Sequence, residues 1–89
     1  MSAATTAVRL FAGAAEAYGA ETASVAAPSD GADVRIGDVV AALVAGGGPG
    51  TADVLGRCSF LVAGVRTDDA SSVVPAGTTV DVLPPFAGG

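Results

Sequence analysis

The stretch Val80-Asp81-Val82-Leu83-Pro84-Pro85-Phe86-Ala87-Gly88-Gly89 decides how this chain is read. Val80 and Val82 alternate with Asp81 and Leu83, the period of a half-buried strand. Pro84 and Pro85 have no N–H to give to a sheet ladder, so the strand stops there and the chain leaves in a stiff, extended form. Gly88 and Gly89 are expected to present bare main chain ending in a carboxylate, and without a Cβ another backbone can approach them closely. Residues 86–89 span roughly 13–14 Å when extended, at about 3.3–3.6 Å per residue, enough to carry a carboxyl group through a narrow tunnel. Residues 1–83 therefore read as a folded scaffold and residues 84–89 as an extended, flexible tail. Phe86, a large apolar group just past the prolines, is the natural anchor for a partner's pocket.

Upstream of the tail, residues 78–83 read as the last strand of a small α+β domain. Residues 7–12 read as a first strand, with Val8, Leu10 and Ala12 on one face and Arg9 and Phe11 on the other. Residues 13–19 read as a helical turn closed by Gly19. Residues 21–27 read as a second strand, antiparallel to the first and ended by the turn Pro28-Ser29-Asp30-Gly31. The clearest helix follows. Ile36, Val39, Val40, Leu43 and Val44 fall on one stripe, Asp38 suits the positive end of the helix dipole, and Gly46 stops the helix. Asp33 is a candidate N-cap, although Arg35 sits nearer the boundary. Residues 46–50 read as a flexible glycine loop and residues 51–56 as a short helical turn with Thr51 as its cap. Residues 59–63 and 65–67 read as strands around a turn at Gly64, and residues 73–77 as an apolar plug and turn. The economical arrangement is one mixed sheet of about five strands packed on one main helix, with the last strand running centrally beside the first.

Composition sets the function classes aside one by one. The chain has 89 residues, enough for one domain with a modest core. Nine acidic against four basic residues give a net charge of −5, which argues against a nucleic-acid footprint. The longest apolar run, residues 39–45, is too short to span a bilayer, and the opening residues lack the basic start of a secretory signal. With a single cysteine, Cys58, no internal disulfide can form, and a cytoplasmic location is expected. There is no histidine, so no histidine-based acid–base pair or triad exists. Cys58 reads as a small buried hydrophobe rather than a nucleophile or metal ligand, and Asp68-Asp69 as a solvated loop. No metal site and no bound cofactor are expected. With no catalytic centre in the body, the terminal carboxylate is the group left to do chemistry. It is inert until adenylated, after which a sulfur nucleophile can convert it to a thiocarboxylate. Both steps need another protein.

The stretch from Val80 to Gly89 resembles the ending of the small subunit of molybdopterin synthase, a ubiquitin-like (β-grasp) sulfur carrier. The stretch Leu10-Phe11-Ala12-Gly13-Ala14-Ala15-Glu16-Ala17-Tyr18-Gly19 is similar to that family's first strand and following turn, and Cys58-Ser59-Phe60-Leu61-Val62-Ala63-Gly64 to its third strand. Two positions depart from the pattern: Ala63 stands where many members carry Asn, and Arg35 where a Ser or Thr cap is common. The resemblance implies a β-grasp fold, with Gly89 adenylated by an ATP-using activating enzyme and then thiocarboxylated. It implies insertion of the tail, through Pro84, Pro85, Phe86, Ala87 and Gly88, into the large subunit of molybdopterin synthase, in an expected heterotetramer. There sulfur passes to cyclic pyranopterin monophosphate, and the active site belongs to the large subunit. Carriers for thiamine thiazole or cysteine synthesis also resemble this fold and end in Gly-Gly. A protein modifier joined through Gly89 to lysines, in the manner of ubiquitin, is the alternative of a different class.

Overall fold

The computed structural model describes residues 5–28 and 31–85. Its first strand, β1 (Thr5–Leu10), alternates as its sequence requires, with Thr6, Val8 and Leu10 buried and Thr5, Ala7 and Arg9 exposed. The strand ends two residues before the expected point, because Ala12 already begins the helix α1 (Ala12–Tyr18). Gly19 closes that helix in the left-handed region at φ 101°, its N–H donating to the Ala15 carbonyl at 2.8 Å. The chain returns as β2 (Thr22–Ala26), antiparallel to β1, with Thr5 opposite Ala26 and Arg9 opposite Thr22.

The main helix, α2 (Ile36–Gly46), buries Ile36, Val39 and Leu43 along its inner stripe and leaves Val44 exposed at its edge. Its N-terminus settles the choice of cap. Arg35 occupies the cap position, and the Asp38 carboxylate reaches back to accept the Arg35 N–H at 2.9 Å. The first free amides of the helix find carbonyls in a distant loop instead of a capping hydroxyl. Ile36 N–H donates to Ser72 and Gly37 N–H to Ala70, at 2.9 and 2.8 Å. The Arg35 guanidinium donates to the Ser71 carbonyl of the same loop at 2.7 Å.

The short helix α3 (Thr51–Leu55) starts at Gly50, in the left-handed region, so Thr51 is its first residue and not its cap. The Thr51 hydroxyl lies 2.7 Å from the Gly48 carbonyl and 3.0 Å from the Ala17 carbonyl, tying the glycine crossing to the end of α1. That crossing is packed, which corrects the reading of residues 46–50 as a loose loop. A Cβ on Gly47 would fall 2.5 Å from Thr51 Oγ1 and 2.8 Å from the Leu43 carbonyl oxygen.

The chain then forms β4 (Ser59–Val62) and β5 (Val65–Thr67), joined through Ala63 and Gly64, both at positive φ as a two-residue hairpin turn demands. Two short strands were not expected from the sequence. β3 (Val34–Arg35) and β6 (Val73–Val74) pair antiparallel in a small second sheet, so the residues read as an apolar plug are a strand. The last strand, β7 (Val80–Leu83), lies between β1 and β4 in the order β2-β1-β7-β4-β5, parallel to β1 and antiparallel to β4. Val80 and Val82 are wholly buried in the core with Val8, Leu10, Phe60, Val62, Ile36, Val39 and Leu43. Burying a side chain of this size contributes about 1.5–3 kcal/mol, so the strand that leads to the tail is held at the centre of the domain.

Candidate functional site

The site is the place where β7 leaves the sheet. Leu83 is paired with Ser59 of β4 on one side, and on the other the Phe11 N–H donates to the Val82 carbonyl at 3.2 Å. These are the last ladder contacts. Pro84, half-buried, and Pro85, exposed, follow directly and have no N–H with which to extend them. The prolines therefore stand where the sequence placed them, at the end of a central strand. Phe86, Ala87, Gly88 and Gly89 lie outside the described residues.

Because β7 is parallel to β1, the exit brings together residues far apart in sequence. Strand alternation sends Asp81 and Leu83 to the face opposite the core, with Arg9 beside Asp81 and Leu61 and Arg66 following across β4 and β5 in the same row. The Arg9 guanidinium meets the Asp81 carboxylate with both prongs of its fork, Nε to Oδ1 at 2.7 Å and Nη2 to Oδ2 at 2.9 Å. The Asp81 hydrogen bond and charge together hold Arg9 in its protonated form, raising its pKa further. Arg9 also lies 5.8 Å above the Phe11 ring. Phe11 is 40% exposed, and Leu61 and Leu83 are half-buried, so the exit carries an apolar surface edged by Arg9, Asp81 and Arg66. Sequence reasoning put Phe11 on the outer face of β1 without assigning it to the site. Only the parallel pairing of the two strands reveals that it borders the exit.

Little else among the described residues offers chemistry. Cys58 is 6% exposed, its thiol 3.2 Å from the Val54 carbonyl, and burial pushes its pKa up. Asp69 spends one carboxylate oxygen on the Ser71 hydroxyl and N–H, at 2.7 and 2.9 Å, which holds its pKa below the ordinary value. Among the described residues no group of three or more metal-ligating side chains comes together, and no helix is long and apolar enough to cross a membrane.

No family model and no curated protein matches this chain. Solved structures do. The crystal structure of SAMP1 from Haloferax volcanii is similar with a TM-score of 0.77 at 26% identity, over 96% of this chain and 99% of that one. A crystal structure of small archaeal modifier protein 1 from H. volcanii gives 0.75 at 26% identity, over 93% and 99%. The solution structure of the Haloferax volcanii HVO 2177 protein gives 0.70 at 26% identity, over 97% and 89%. The fold is the ubiquitin-like β-grasp, and the chain's structural neighbours are small archaeal modifier proteins of that fold.

Proposed function

We propose that this chain is a carrier that acts through the activated carboxylate of Gly89, and that its principal task is to deliver sulfur as the small subunit of molybdopterin synthase. The observation that carries the reading is the position of β7. A strand buried on its inner face and paired on both edges ends at Leu83 and is followed at once by two prolines. A rigid base of this kind lets a short tail be aimed, because little orientational freedom is left to lose when it enters a partner's cavity.

The roles divide accordingly. An activating enzyme uses ATP to adenylate the Gly89 carboxylate, with pyrophosphate leaving, and a sulfide-level sulfur nucleophile then attacks the acyl carbon and displaces AMP to leave the thiocarboxylate. Gly88 and Gly89 pass through a channel that any Cβ would block, with Pro84 and Pro85 stiffening the approach and Phe86 and Ala87 filling the channel's mouth. The surface formed by Phe11, Leu61 and Leu83 supplies the docking area, and the charged edge of Arg9, Asp81 and Arg66 sets its register. The large subunit provides the active site in which sulfur reaches cyclic pyranopterin monophosphate. In this reading the chain binds no metal or cofactor and works in the cytoplasm.

A second reading has an observation in its favour. Two of the similar solved structures are of a modifier protein by name, so conjugation of Gly89 to lysines of target proteins is the competing use of the same activated end. Affinity capture from the source cell, with one residue appended after Gly89 as the control, separates the two. Sulfur delivery predicts recovery of a molybdopterin synthase large subunit by both forms and loss of sulfur transfer in the extended one. Isopeptide-linked targets, found with the natural end and lost with the extended one, support conjugation instead. A thiazole synthase in place of the large subunit overturns the assignment of pathway.

A further inference from the structure

All four basic residues of this chain are arginines, at positions 9, 35, 57 and 66, and the 89 residues contain no lysine. Three of the four stand at the end of the sheet from which the tail leaves. Arg9 is paired with Asp81, Arg66 donates to the Ser59 hydroxyl at 2.9 Å, and Arg57 lies two residues before Ser59, the partner of Leu83. Residues 84–89 can reach at most about 20 Å from Leu83 at the extended rise per residue. Adjacent strands lie about 4.8 Å apart, which puts β4 and β5 within that reach.

The one thiol stands at the same end. Cys58 immediately precedes Ser59, yet it is turned inward to the Val54 carbonyl and almost fully buried. It lines a groove of about 540 Å³ between Arg57 and Arg66 without being exposed at its surface.

An acyl adenylate is an electrophile. An amine within reach attacks the carbonyl carbon, the bond to phosphate breaks, AMP leaves with the electron pair, and the amine's proton passes to solvent. The product is a dead amide. Arginine stays protonated and does not compete, whereas the lysine amine is a nucleophile once deprotonated.

We propose that the tail-exit end of this domain is cleared of nucleophilic amine side chains and keeps its one thiol buried, so that the activated acyl end is not captured by the domain's own side chains. This rests on the activated-carboxylate reading given above and adds two consequences. The activated end survives until a partner takes it, and a conjugating use finds no lysine in this chain on which to attach a second copy.

The test needs no activating enzyme, and its failure is therefore distinct from failure of the functional reading. The full chain is prepared with its α-amine acetylated and a small-thiol thioester at Gly89, by intein cleavage, and is held at mildly alkaline pH. The Arg66→Lys and Arg57→Lys variants are prepared alongside, with circular dichroism confirming that each is folded. Intact mass distinguishes hydrolysis, which replaces the thiol by water, from internal or intermolecular amide formation, which loses the thiol and gains no water. The natural chain is expected to hydrolyse only, and the lysine variants to shift part of their population to cyclic or cross-linked product. Self-linked product from the natural chain overturns the proposal. So does a pair of folded lysine variants that behave as the natural chain does, because lysine at these positions then makes no difference.

Discussion

Arg9 and Asp81, 72 residues apart in the chain, are register partners across the parallel strands β1 and β7 and close a two-pronged contact at 2.7 and 2.9 Å. The pair sits two residues before Leu83, on the face the helices leave open, and joins the first strand to the strand that launches the tail. Its arginine side chain is 59% exposed, so solvent and salt screen it.

Asp81→Asn is accordingly expected to lower the urea midpoint slightly at low ionic strength, with the deficit shrinking at about 1 M salt, where the screening length falls to roughly 3 Å. The same variant should weaken partner capture more than it weakens the fold, because the pair fixes the geometry of the exit surface. Urea titrations at two salt concentrations, beside binding measurements, check both halves.

Ala63 occupies the first central position of the β4–β5 turn at φ 52°, where an L-residue other than Asn, Asp or Gly is strained. Ala63→Gly or Ala63→Asn should raise stability by about 0.5–1 kcal/mol, read from chemical denaturation. Sulfur transfer should not change, since the turn lies at the end of β4 far from Ser59 and Leu83.

Gly47→Ala should cost about 1–3 kcal/mol, since its Cβ must push on the Leu43 carbonyl and the Thr51 hydroxyl. Gly13→Ala, where a Cβ meets nothing within 4 Å, is the control and should be close to neutral or better. Thermal denaturation of the two variants separates a packed crossing from a loose loop.

Legibility followed the range of the interactions. The Ile36, Val39 and Leu43 stripe and the alternation of Val80 and Val82 are local patterns long enough to read, and both elements formed, the strand starting at Val80, two residues later than expected. The placement of β7 beside β1 also came out as expected. β3 and β6 are two residues each, too short for any period to register, and they exist because each supplies the other's ladder. Thr51 looked like a cap because Thr is a good one, but its hydroxyl is drawn to the carbonyls of Gly48 and Ala17. Phe11 joins the exit through a strand pairing that spans most of the chain, which no local pattern encodes.

Asp69 supplies a pH dependence with a definite sign. Its hydrogen bonds to Ser71 place its folded pKa below the ordinary 3.8, so its contribution to the loop is complete above that value and is lost as pH falls through the lower folded one. Loosening of residues 69–72 also removes the Ser72 and Ala70 carbonyls from the start of α2. The amide signals of Ser71, Ile36 and Gly37 should therefore shift together in an acid titration followed by NMR. In Asp69→Ala the shared acid step should vanish.

The central claim is that Gly89 is the reacting group, and the most direct measurement is the mass of the intact chain after incubation with the source cell's adenylating enzyme, ATP and a sulfur donor. The account predicts the gain that accompanies replacement of one oxygen by sulfur, localised by fragmentation to Gly89 and absent without ATP. A chain that keeps its mass with every physiological donor, or that takes up sulfur anywhere other than Gly89, contradicts it.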